Sequence, residues 1–187
     1  MGMILNPKTG RYEKEKKKKN DRPTQIDSIS SPAADSSDII SILGDPSYDI
    51  IIPDYPKSFV GTFPGSGQSQ KIYATAQAFY SGIHFIIRND IKSQAKAFLT
   101  GHFVNVIDKV LPPGTGIVFI FSDKRKITPT IKYDIDNRGY FWDKVFSDAL
   151  EDAALIPEDN VFFLPTKIYH FDNVLKKDQI RILIYTP

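Results

Sequence analysis

The chain of 187 residues has no cysteine, which excludes a disulfide framework and any thiolate metal site. No apolar run approaches the length needed to span a bilayer, and the N-terminus lacks the apolar segment of a signal peptide. Those absences exclude an intramembrane role and suit a reducing interior. The expected location is cytoplasmic, for a bacterial or phage-derived protein. Histidine is scarce: His84, His102 and His170 are scattered, and packing or surface exposure is the default reading of each. There is no internal repeat. The glycines of Phe63-Pro64-Gly65-Ser66-Gly67 lack the Gly-Lys-Ser/Thr ending of a phosphate cradle, so they read as a plain turn.

What is present suffices for a sizeable core: 41% hydrophobic residues, 13 of the side chains being phenylalanine. The length fits one domain with an appendage. The net charge of +2 hides an asymmetry, because residues 1–22 hold eight basic and three acidic side chains, leaving the remainder at −3. A basic arm on a mildly acidic body points to a polyanionic partner, and equally describes a solvated tail. Residues 1–46 show almost no apolar periodicity and are rich in Lys, Ser, Asp and Pro. They read as a disordered basic tail and linker. Only Ile39 to Leu43 has the pattern of a short docking helix. Residues 47–187 form the expected folded domain.

Within that domain Tyr48–Pro53 reads as a strand, whereas Lys71–Ile87 is ambiguous between strand and helix. Ala95, Phe98, Leu99, Val106, Ile107 and Val110 form a helical stripe running to Pro112. Gly116–Phe121 reads as a buried strand. Trp142, Val145, Phe146, Ala149, Leu150 and Ala153 make one apolar face, so the pattern predicts a helix over 141–155. Val161–Leu164 and Gln179–Tyr185 read as closing strands. The fold class is therefore mixed α/β: a small sheet of four to five strands packed by two main helices.

Chemistry concentrates in Asp134-Ile135-Asp136-Asn137 and, after the predicted helix, Glu158-Asp159. If residues 132–136 are extended, Asp134 and Asp136 share a face, since strand side chains alternate with period two. A strand–helix–strand return can bring Asp159 beside them. Three carboxylates with no histidine or cysteine make a hard oxygen site, suited to Mg²⁺ or Mn²⁺. Such an ion activates water and stabilises charge on a phosphate. A competing reading has Asp136 or Asn137 capping the helix and Asp159 in a turn. An EF-hand reading fails, because Arg138 and Val145 fall where that loop needs oxygen ligands. Lys92 and Lys96 share a helix face and fit either backbone phosphate or solvent.

The run Asp134-x-Asp136-Asn137, then Lys144-x-x-x-Asp148-Ala149-Leu150, then Glu158-Asp159, resembles the RusA family of Holliday-junction resolvases. The step from Asp148 to Asp159 and the basic run Lys124, Arg125, Lys126 and Lys132 before the first aspartate are further similarities. The close resemblance covers about Lys124 to Val161, and residues 1–46 have no counterpart in the small members of the family. It implies a homodimer that cuts four-way DNA junctions with Mg²⁺. Asp134, Asp136 and Asp159 would be the metal-binding catalytic carboxylates, Lys144 the active-site lysine, and the basic run the DNA-binding segment. One departure is clear. The family lysine follows the asparagine by three residues, whereas Lys144 follows Asn137 by seven, about 6 Å further along a helix. That departure keeps open a non-catalytic nucleic-acid-binding module on the same fold, or an interaction protein acting through its lysine-rich arm.

Overall fold

The computed structural model describes residues 3–5, 12–14, 36–80, 82–125 and 135–187. The chain divides into two compact units, residues 1–31 and 32–187. In the first, β1 (Met3–Leu5) and β2 (Tyr12–Lys14) pair antiparallel, with Ile4 opposite Glu13. The second opens with α1 (Ser36–Leu43). These three elements lie inside the segment expected to be tail and linker, which is therefore not wholly without regular structure.

The second unit continues with β3 (Tyr48–Pro53), β4 (Ser58–Thr62), β5 (Ser69–Tyr73), α2 (Gln77–Tyr80) and α3 (Phe85–Phe103). Then follow β6 (Gly116–Ser122), α4 (Ile135–Asp152), β7 (Thr166–Phe171) and β8 (Gln179–Tyr185). Four strands form one mixed sheet in the order β3-β8-β6-β7, and β4-β5 is a separate antiparallel hairpin. β6 and β7 run parallel, joined through α4, whereas β8 is antiparallel to both its neighbours. The mixed α/β architecture with two main helices is the one the sequence predicts. Among the described residues no helix is long and apolar enough to cross a membrane.

Burial follows from which strands have neighbours on both sides. β3, at an edge, alternates, burying Ile50 and Ile52 while Ile51 faces out. β6 is enclosed and buries six consecutive residues from Ile117 to Ser122, which accounts for its continuous apolar run. One face of the sheet presents Ile52, Phe119, Phe121, Ile180 and Ile182 to the main core. The other presents Val118, Ile120 and Leu183, against which Ile39 and Ile40 of α1 pack. That contact gives the short N-terminal helix the tertiary support its length requires.

α3 buries Ile87, Ile91, Ala95, Leu99 and Phe103, a strict four-residue repeat. It starts earlier than the stripe predicted and stops well before Pro112, leaving Val106 and Val110 exposed. The ambiguous stretch 71–87 resolves into the end of β5, the single turn α2 and the start of α3. Val161–Leu164 is not a strand. The Asn160 side-chain oxygen accepts the backbone N–H groups of Phe162 and Phe163, curling the chain into a turn that leaves Val161 and Phe162 at the surface. The seventh strand begins two residues later, after Pro165.

The β4-β5 hairpin rests on the first turn of α3 through Gly61. A Cβ there would stand 2.5 Å from Ile87 Cγ2, inside contact distance of a fully buried side chain. Gly61→Ala is expected to lower stability by about 1–3 kcal/mol, the usual cost of overpacking. Urea unfolding reads this directly. Unchanged stability would mean that Ile87 has room to turn aside.

Candidate functional site

α4 begins at Ile135, six residues before the predicted start at Phe141, so Asp136 lies in the first helical turn and is exposed. The expectation of an extended segment carrying Asp136 is corrected on this point. Two contacts explain the early start. Gly139 lies against the Tyr169 ring, where a Cβ would come within 2.7 Å of Cγ, and Ile135 packs onto the core. A glycine that costs a free helix about 1 kcal/mol is here the residue that lets α4 approach β7. A carboxylate in the first turn also suits the helix dipole. Asp134, Lys126 and Lys132 lie outside the described residues.

The remainder of α4 is laid out by its packing. Phe141, Trp142, Val145, Phe146, Ala149 and Leu150 are buried in the core. Phe146 meets Phe103 edge-on at 5.2 Å and Phe119 at 5.8 Å. What is left forms two polar stripes. Asp136, Gly139, Asp143 and Ser147 follow three- and four-residue steps along the flank facing β7. Lys144 and Asp148 stand one turn apart on the flank facing α3.

On the β7 flank, the Lys167 ammonium donates to Asp143 Oδ1 at 2.8 Å, to Ser147 Oγ at 2.9 Å and to Asp159 Oδ1 at 3.3 Å. The Tyr169 hydroxyl donates to Asp143 Oδ2 at 2.8 Å. On the other flank, the Lys144 ammonium meets Asp159 Oδ2 at 3.0 Å and Asp148 Oδ1 at 3.1 Å. Lys92 of α3 pairs with Asp148, and Lys96 pairs with Asp152. These two lysines thus serve a bridge between helices. Asp159 sits in the loop after α4 and joins the two flanks, with a lysine on each of its oxygens.

The charges bear this out. Burial raises the Asp159 carboxyl, but the hydrogen bond from Lys144 and the charge of Lys167 outweigh it and hold it below the usual carboxylate range. Burial opposes the charge on Lys144, and its bonds to Asp159 and Asp148 push the ammonium above its ordinary value. Burial and the neighbouring Asp143 raise the Tyr169 phenol, with a further contribution from the charge of Asp136. The first helical turn is therefore in electrostatic reach of this network.

Asp143, Asp148 and Asp159 are balanced by Lys92, Lys144 and Lys167. Asp136 adds a negative charge at one end of the helix. Asp136 and Lys144 are eight residues apart, about 12 Å of helical rise, of which the lysine side chain spans a part. Among the described residues no three His, Cys, Asp or Glu side chains form a group that could hold a metal ion. The donors fit a hard cation in kind, being carboxylate oxygens alone. A cation using Asp159 must take at least one of its oxygens from an ammonium group.

The basic segment is only partly free. Arg125 donates from Nε and Nη2 to the two oxygens of buried Asp123, at 3.1 and 2.9 Å. Lys57 bridges Asp123 and Asp178 at 2.7 and 2.6 Å. Burial raises the Asp123 carboxyl, yet Arg125 and Lys57 together hold it far below the usual range. Arg125, expected to bind DNA, thus fastens the end of β6, while Lys124 is mostly exposed, its ammonium 3.4 Å from Asp178.

Sequence reasoning missed Lys167, Tyr169 and Asp143. Their signal was the two-residue spacing of Lys167 and Tyr169, which places both on one face of a strand. Reading the residues around His170 as packing, and the preceding strand as 161–164, hid it.

Because the Asp159 carboxyl is depressed by its lysines, the stability it contributes is present above its unfolded pKa and is lost as pH falls through the folded value. Lys144→Met is expected to destabilise the protein at pH 7. The gap from wild type should narrow as pH falls below about 4, where the carboxylate protonates first in the unfolded chain and only at lower pH in the folded one. Urea unfolding across pH 3–7 reads it, and a gap independent of pH would remove the ion pairs as the cause.

No family model matches the chain, and no curated protein matches it.

Proposed function

We propose that the chain is a metal-dependent endonuclease that cuts four-way DNA junctions, a resolvase of the RusA type working as a homodimer. The observation that carries this reading is the 3.0 Å contact between Lys144 and Asp159, fifteen residues apart in the chain. Those are the lysine and the second acidic element of the sequence motif. They meet although the segment between Asn137 and Lys144 is longer than in the family. Residues 137–144 lie within α4, and four further residues correspond to about one helical turn, which would leave Lys144 on the same face.

On this reading Asp134, Asp136 and Asp159 hold Mg²⁺, or Mn²⁺ in its place. The ion supplies an activated water and charge stabilisation at the scissile phosphate. The chain's own groups do the rest. Lys144 offsets phosphate charge at the Asp159 end. Lys124, Lys126 and Lys132 contact the DNA backbone, so affinity falls steeply with salt. Two copies related by a two-fold axis match the approximate symmetry of a four-way junction and place a nick on each of two opposed strands.

A second reading, a non-catalytic module that binds branched DNA, is favoured by the engagement of both Asp159 oxygens with ammonium groups. Cleavage separates the two. Wild type is expected to nick a synthetic four-way junction in Mg²⁺. Asp136→Asn should cut at least about 10²-fold more slowly while still binding, the scale of losing one electrostatic contributor to a transition state. Wild type that binds the junction tightly and leaves it intact in both Mg²⁺ and Mn²⁺ overturns the enzyme reading.

A further inference from the structure

We propose that Lys167 is a second phosphate-contacting cation of this site, acting beside Lys144 on the backbone of the bound DNA strand. The inference rests on the reading of the chain as a junction-binding protein and adds a residue that the sequence motif does not contain. Lys144 and Lys167 meet the two oxygens of a single carboxylate, at 3.0 and 3.3 Å. Two ammonium groups so placed are also within reach of the two non-bridging oxygens of one phosphate. Both lysines keep part of their side chains in solvent, 39% and 22% exposed.

Lys167 is pre-positioned for such a contact. Asp143 and Ser147 hold its ammonium at 2.8 and 2.9 Å, shorter than its contact with Asp159. Asp143 is in turn fixed by the Tyr169 hydroxyl, whose ring is seated on Gly139. Lys167 can therefore release Asp159 without becoming mobile. In the proposed reaction Asp159 is a metal ligand, which leaves both lysines one acceptor short, and a phosphate oxygen supplies the missing partner. Because Lys167 is carried by β7, its place is set by the sheet and is independent of the length of the helix before Lys144.

The test is junction binding with Ca²⁺ present, a hard cation able to occupy Asp159 in place of Mg²⁺, measured as a function of monovalent salt. Each phosphate contact contributes about 0.9 to the slope of log affinity against log salt. Lys167→Met should lower the slope by about that amount, and Lys167→Arg should keep it. Because Lys167→Met leaves Asp143 without its partner, the double variant Lys167→Met/Asp143→Asn is measured too. It should fold and show the same reduced slope. In Mg²⁺ both methionine variants should cut about 10²-fold more slowly. An unchanged slope in the folded double variant overturns the role of Lys167 alone. Failure of wild type to bind the junction instead overturns the reading on which it rests.

Discussion

Burial of one side of α4 is the constraint on which the candidate site depends. Six large or apolar side chains from Phe141 to Leu150 enter the core, where Phe146 is gripped between Phe103 of α3 and Phe119 of β6. A fully buried side chain of this size stabilises the fold by about 1.5–3 kcal/mol, so together they fix the rotation of the helix. Once the rotation is fixed, the polar residues have no choice of direction. Asp143 and Ser147 must face β7, and Lys144 and Asp148 must face α3.

That arrangement places charges where they require partners, and each of the neighbouring elements supplies one. β7 contributes Lys167 and Tyr169, α3 contributes Lys92, and the loop after α4 returns Asp159 between the two flanks. A partly buried carboxylate without a partner would cost several times what a surface ion pair is worth. The network is thus compensated rather than strongly stabilising, and it orients its members.

A similar division of labour runs through the basic segment. Arg125 and Lys57 neutralise buried Asp123 and tie the ends of β6 and β8 to the loop before β4. Cationic residues that look alike in a run of sequence therefore split into those that hold the scaffold and those, such as Lys124, left toward solvent. Charge counting along the chain has no access to that distinction, because Asp178, just before β8, is brought beside Asp123, just after β6, only by the pairing of those two strands.

By itself the sequence determined the mixed α/β class, the strands at Tyr48–Pro53, Gly116–Phe121 and Gln179–Tyr185, and the apolar face of α4. These follow from local period and continuity of apolar residues, which any packing of this chain must respect. It also marked Asp136, Lys144, Asp148 and Asp159 by their spacing. Only the tertiary structure decided where α4 begins, because the close approach of Gly139 to Tyr169 is a contact between elements thirty residues apart. Only the tertiary structure turned Val161–Leu164 into a turn, moved the seventh strand to Thr166–Phe171, and so revealed Lys167. Pairing between distant residues has no signature in a linear spacing. It arises when two faces, each dictated locally, are pressed together and their leftover charges must find one another.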